Sequence, residues 1–186
     1  MGRVSQAQAE ENRRRVVDTA SRLFREQGTQ VSVADLMKAA GLTHGAFYKQ
    51  FASKEALVDE ATAHAFAELT QRYSTGLERN DGRRDAAQRA LIDTYLSVEH
   101  RDDPADGCPI AALASDIARE GGGREARRVY AEGVADFADF LASDDQDGIV
   151  RLCTLFGALV LSRATKGSPL SGEILAAARA ALTEAG

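Results

Sequence analysis

An all-α fold is expected for these 186 residues, and three observations predict it. Apolar residues recur at helical spacing along almost the whole chain, with no alternating run of strand length. The apolar residues are mostly Ala, Leu and Val, and only three prolines interrupt them. Glycines and short polar runs fall between the periodic segments, where helices must stop. The expectation is about nine helices: an N-terminal three-helix head containing a helix-turn-helix, then a C-terminal helical bundle. Residues 1–53 form the head and residues 54–186 the body.

In the first helix Val16, Val17, Ala20, Leu23 and Phe24 make one apolar face, and Gly28 stops it. Ser32 caps a second helix, with Asp35 three residues on in a capping-box relationship. That helix buries Leu36, Met37 and Ala40 and ends at Gly41. Thr43 caps a short third helix running to Phe51. Ser53 caps a longer fourth whose face is Leu57, Val58, Ala61, Ala65, Phe66, Leu69 and Tyr73. Arg83 to Glu99 reads as one helix, with Leu91, Ile92, Tyr95 and Leu96 on one side. The polar turn HRDDPADG follows, and Pro109 takes a first-turn position in a short helix bearing Ile110, Leu113, Ala114 and Ile117. Past the GGG at 121–123 comes a helix with Val129, Tyr130, Val134, Phe137, Phe140 and Leu141. SDDQDG breaks the chain before the apolar helix from Ile149 to about Ala164, and KGSPLSG leads to the last helix.

Composition narrows the function classes. Two cysteines, Cys108 and Cys153, are too few for a disulfide framework, so a reducing cytoplasm is expected. The first fifteen residues hold no apolar core of signal-peptide length. The apolar stretch from Ile149 to Leu161 falls short of the roughly 20 residues a membrane span needs, so no membrane partner is expected. The net charge is −5, but it is unevenly placed. Residues 1–56 carry nine Lys/Arg against six Asp/Glu, and the rest carry fourteen against twenty-two. A small basic head on an acidic body suits a chain of which one end meets a polyanion. An enzyme is not expected, nor a cofactor, nor a metal. His44, His64 and His100 are scattered, with neither Glu-x-x-His nor His-Glu-x-x-His spacing, and the glycine run follows no strand.

The stretch from Ser32 to Phe51 carries the sharpest signal. Two short helices joined by a turn at Gly41 match the helix-turn-helix pattern, with Leu36, Ala40, Leu42 and Phe47 packing between them. Thr43, His44, Gly45, Ala46, Tyr48 and Lys49 then face outward. Small residues at 45 and 46 let the helix backbone approach a surface closely. The donors around them can reach phosphates and base edges in a major groove about 12 Å wide.

These residues carry a family resemblance. RRRVVDTASRLFREQG, then VSVADLMKAAGLTHGAFYKQFASKEALV, resembles the DNA-binding domain of TetR-family transcriptional regulators over roughly residues 13–58. The resemblance implies phosphate contacts at Thr43, Tyr48 and Lys54 and base contacts at His44, Gly45, Ala46 and Lys49. It also implies a homodimer on double-stranded operator DNA, and a pocket in the body for a small-molecule effector. A repressor released from a palindromic operator is the expected function. The alternative keeps the fold as a ligand-binding or thiol redox-sensing module without DNA binding.

Tyr95, Cys108, Tyr130 and Phe137 are the candidate effector contacts, though each would also serve as ordinary core. The helix from Ile149 is apolar nearly all round, and the last helix offers Ile174 and Ala178 among small alanines. Leu152, Leu155, Phe156, Leu159, Ile174 and Ala178 are therefore the candidate dimer interface. Cys108 sits at the N-cap before Pro109, where a helix dipole favours a thiolate, while Cys153 reads as inert core.

Overall fold

The computed structural model describes residues 6–119, 123–144 and 147–183. Among the described residues there are ten helices and no strand, one helix more than expected. They are α1 (Gln6–Gln27), α2 (Val33–Ala39), α3 (His44–Phe47), α4 (Lys54–Arg79), α5 (Arg84–Tyr95), α6 (Val98–Asp102), α7 (Pro109–Ala118), α8 (Arg124–Leu141), α9 (Gly148–Ala164) and α10 (Pro169–Thr183). The extra helix arises where the run from Arg83 to Glu99 divides. Leu96 leaves helical geometry, and the Ser97 hydroxyl then accepts from His100 N at 3.1 Å, starting α6.

Local capping sets the head as its sequence suggests. Ser32 Oγ accepts from Asp35 N at 3.1 Å, and Ser53 Oγ accepts from Ala56 N at 3.1 Å. Gly41 takes a φ of +71°, the left-handed geometry that glycine adopts freely, and this turns the chain from α2 into α3. The third helix is shorter than expected: it is a single turn, and residues 48–50 form a turn after it. Thr43 holds the N-cap position, but its hydroxyl makes no capping bond.

Two cores follow. The head core joins Val16, Ala20 and Phe24 of α1 to Leu36 and Met37 of α2 and Phe47 of α3, and continues through Leu57, Val58 and Ala61 of α4. Leu113 and Ile117 of α7 and Ala126 of α8 close it, so apolar contact runs past residue 53 into the body. The body core packs α4, α5, α8, α9 and α10 around Phe66, Ile92, Phe137, Leu155 and Leu159. The long α4, about 39 Å at 1.5 Å per residue, passes through both cores.

Candidate nucleic-acid interface and effector cavity

The outer side of the head is built on Phe47 and Phe51. Both rings are buried and stacked on each other with centroids 5.4 Å apart, which fixes the turn between them. Tyr48 is thereby pushed outward and is 67% exposed, its ring edge-on to Phe47. Thr43, His44, Gly45 and Lys49 are exposed beside it, and His44 lies 5.8 Å from the Tyr48 ring. A Cβ added at Gly45 would meet nothing within 4 Å, so this surface is open. Ala46 departs from the expectation: it is half-buried and packs on the head core, because it stands four residues from Leu42 on the inner side. Lys54, half-buried at the first turn of α4, forms no hydrogen bond or ion pair among the described residues.

The arginine run of α1 does not act as a unit. Arg13 turns inward, donating to the Gln50 carbonyl and pairing with Glu60, with its guanidinium 4.3 Å from the centre of the Phe51 ring. Arg14 pairs with Glu11 on its own helix, a contact that raises its pKa and lowers that of Glu11. A second tie to α4 is Arg25, whose side chain is 1% exposed. It donates to Glu68 at 2.8 Å and to the carbonyls of Ser21 and Gly107 at 3.2 and 3.3 Å. Sequence spacing does not reveal the Glu68 partner, because the two residues lie 43 positions apart.

His64 completes the α1–α4 seam. Its Nε2 is 3.6 Å from both Asp18 and Glu68, too long for a hydrogen bond to either. The ligand atoms of these three residues lie within 4.8 Å of one another, so among the described residues this is a group that could hold a metal ion. No motif spacing announces it, since α1 supplies one member and α4 the other two.

In the body a cavity of about 450 Å³ opens between α4, α5 and α8. Small residues are among its lining, Gly76 on α4 and Ala87 and Ala90 on α5, and a Cβ added at Gly76 would meet nothing within 4 Å. Tyr73, Phe137 and Phe140 form a parallel aromatic wall, with Tyr73 4.8 Å from Phe140 and 6.1 Å from Phe137. Tyr95, His100 and Cys108 line the inner end, and Arg72, Arg79 and Asn80 lie along α4. Of the four residues expected to meet an effector, Tyr95, Cys108 and Phe137 line this cavity and Tyr130 does not. Tyr130 instead bridges the two cores, its ring edge-on to Phe66 and its hydroxyl donating to the Ile110 carbonyl at 2.8 Å. Burial pushes its pKa up to about 12.

The chemistry of the inner end is set by desolvation. Burial holds the Tyr95 hydroxyl well above its usual pKa, with the Cys108 thiol beside it adding to the shift. Cys108 does occupy the N-cap of α7, but it is only 2% exposed. Burial outweighs the helix N–H groups and raises its pKa, which opposes a reactive thiolate. His100 is shifted down by burial, and Nδ1 lies 2.7 Å from the Tyr95 carbonyl, a geometry in which Nδ1 carries the hydrogen and donates it.

The apolar helices α9 and α10 are placed differently from expectation. Leu152, Leu155 and Leu159 belong to the body core, with Leu155 and Leu159 fully buried, so the protomer itself covers that side. Phe156, Ile174 and Ala178 are half-buried against the same core. The outward stripe is instead Ile149, Val150, Cys153, Val160 and Leu161, with Leu170 on α10. Cys153 is thus exposed rather than core. No helix among the described residues is long and apolar enough to cross a membrane.

Residues 16–61 match the family described as bacterial regulatory proteins, tetR family. The HTH-type transcriptional regulator AcrR of Shigella flexneri is 41% identical over 61 residues, which are 32% of this chain and 28% of that protein. The HTH-type transcriptional repressor KstR2 of Mycobacterium tuberculosis is 29% identical over 101 residues, 54% of this chain and 50% of that protein. The chain therefore spans half the length or less of these curated relatives. A TetR-family transcriptional regulator from Agrobacterium tumefaciens has the same fold, with a TM-score of 0.78 over 95% of this chain and 98% of that one at 18% identity. Residues 16–61 thus carry the helix-turn-helix domain described for the tetR family of bacterial regulatory proteins, and the chain around them has the fold of the Agrobacterium tumefaciens regulator.

Proposed function

We propose that the chain is a homodimeric repressor that binds a palindromic operator through α3 and is released by a small molecule seated between α4, α5 and α8. The observation that carries this reading is the outer side of the head. Tyr48 is a large ring held in solvent at the end of α3, beside exposed Thr43, His44, Gly45 and Lys49, while Phe47 and Phe51 on the inner side are buried. Leaving a ring so exposed gains nothing for the isolated fold, whereas a nucleic-acid surface would cover it. Lys54 adds a cation without an internal partner at the start of α4. The residues assigned to DNA are therefore Thr43, His44, Gly45, Tyr48, Lys49 and Lys54.

One four-residue helix reads few base pairs, so two heads are required, with half-sites about 34–36 Å apart or a multiple of that. The exposed Ile149, Val150, Val160 and Leu161 of α9, with Leu170 of α10, are the surface assigned to dimerisation, since exposed apolar residues favour a partner. Helix α4 connects the two sites: Leu57 and Val58 near its start share the head core with Phe47 of α3, and its C-terminal half lines the cavity. Arg13 and Arg25 bind α1 to α4, so a displacement of α4 carries the head with it. A ligand releases DNA only if it prefers the displaced state; equal affinity for both states would shift nothing. The division at residues 53 and 54 is then functional: apart from Lys54 at the boundary, the DNA contacts lie before it and the effector and dimer contacts after it.

The test selects duplexes from a random library on the purified protein and measures their binding by fluorescence anisotropy. Lys54→Ala should weaken all sequences alike and reduce the salt slope by about 1. Lys49→Ala or His44→Ala should change preference at particular bases, by about 1–3 kcal/mol for each base edge no longer read. Failure to enrich any duplex would overturn the reading.

A further inference from the structure

We propose that the cavity between α4, α5 and α8 selects an anionic amphiphile, a flat apolar body bearing a carboxylate, sulfonate or phosphate group that pairs with Arg79 and Arg72. This rests on the reading of the cavity as the effector site, and it names the class of molecule that site accepts.

Charge is the first argument. The body from residue 57 onward has an excess of acidic over basic residues, fourteen Lys/Arg against twenty-two Asp/Glu. The cavity reverses that balance, because its lining holds Arg72 and Arg79 and no Asp or Glu among the described residues. Neither cation is neutralised. Arg72 donates to the carbonyl of Asp106, an uncharged partner, while the Asp106 carboxylate is turned away to Arg22. Arg79 forms no hydrogen bond or ion pair among the described residues. The two stand seven residues apart on α4, two turns and about 10 Å, on either side of Gly76. They therefore flank the gap that the missing side chain leaves open.

Shape is the second. The stacked Tyr73, Phe137 and Phe140 rings present a flat apolar wall, which suits a planar or extended hydrocarbon body. Tyr95 and Cys108 at the inner end are held neutral by burial, so the cations that line the cavity are Arg72 and Arg79, and the apolar body lies along the ring wall. A volume of about 450 Å³ lies in the range of pockets that enclose drug-sized molecules.

The experiment compares two fluorescent probes that differ by one group. 1-Anilinonaphthalene-8-sulfonate carries a flat aromatic body and an anion, and N-phenyl-1-naphthylamine carries the same body without the sulfonate. A purely apolar cavity prefers the second, which is the more hydrophobic. The proposal expects the sulfonate to bind about tenfold more tightly, as one charge-assisted hydrogen bond in a partly dry site would give. The double variant Arg72→Gln/Arg79→Gln should remove that preference and leave the neutral probe unchanged. Gly76→Leu, which fills the gap, should abolish binding of both. If the neutral probe binds as well as the sulfonate and Gly76→Leu blocks both, the anion proposal is overturned while the effector cavity stands. If Gly76→Leu changes neither, the probes do not occupy this cavity, and both the proposal and the effector site fall.

Discussion

Two glycines inside helices give opposite expectations from the same substitution. Gly76 lies in α4 and Gly133 in α8, and neither has the left-handed geometry that would reserve the position for glycine. Replacing either with alanine gains the same helix propensity, about 0.8–1 kcal/mol. The surroundings then decide the sign. A Cβ at Gly76 meets nothing within 4 Å, so Gly76→Ala should stabilise by nearly the full amount. A Cβ at Gly133 would fall inside the Phe66 ring, 2.0 Å from Cδ1 and 2.4 Å from Cε1. That ring is buried and held edge-on by Tyr130, so it has no free direction in which to retreat. Overpacking of this kind costs about 1–3 kcal/mol, and the two variants should differ by that amount. Urea unfolding followed by far-UV circular dichroism measures both, as the chain has no tryptophan. Protomer concentration must be held fixed, because stability of a dimer depends on it. A Gly133→Ala protein as stable as Gly76→Ala would refute the close approach of α4 and α8. A destabilised Gly76→Ala would refute the open space between α4 and α5.

Other expectations follow from burial and pairing. Arg25→Met keeps the apolar stem but removes the pairing with Glu68, and should cost about 1.5–3 kcal/mol in the same unfolding assay; a cost below about 0.5 would mean the tie between α1 and α4 is idle. In a Cys153→Ser background the alkylation rate of Cys108 should rise with a midpoint above the ordinary value of about 8.5, because burial disfavours its thiolate. A lower midpoint would restore the thiol-sensor alternative. Leu161 is 56% exposed in the protomer, so Leu161→Glu should fold normally yet weaken the dimer by more than about a hundredfold, since each protomer gives up one buried leucine. Light scattering that still finds a dimer at micromolar concentration would move the interface elsewhere.

How much was legible in the sequence depended on the range of the signal. Ser32, Gly41 and Ser53 act on backbone within three or four residues, and each sits where its local pattern places it. The aromatic run worked as well, because Phe47 and Phe51 stand four apart and Tyr48 must then point the other way. Errors came where a face had to be assigned. An apolar helix such as α9 has no polar side to mark solvent, so periodicity cannot tell the stripe its own chain covers from the stripe left outside. Leu155 and Leu159 proved internal, and Cys153 external, for that reason. Ala46 is half-buried on the head core, and its small size suits a groove and a core equally, so the sequence carries no signal for either. The cavity was only half legible: Tyr95, Cys108 and Phe137 could be named from the sequence, but Gly76, Ala87, Arg72 and Arg79 matter through what lies across from them on other helices.

The most direct test of DNA recognition uses Gly45. A Cβ added there meets nothing within 4 Å and Gly45 is exposed, so Gly45→Leu should leave the fold and the dimer intact. The same side chain would stand between α3 and the floor of the major groove. Anisotropy with a selected duplex should therefore show affinity falling by more than about tenfold, the equivalent of one base edge left unread. An unchanged affinity in a folded, dimeric Gly45→Leu protein would show that α3 does not enter the groove, and would contradict DNA recognition by this head.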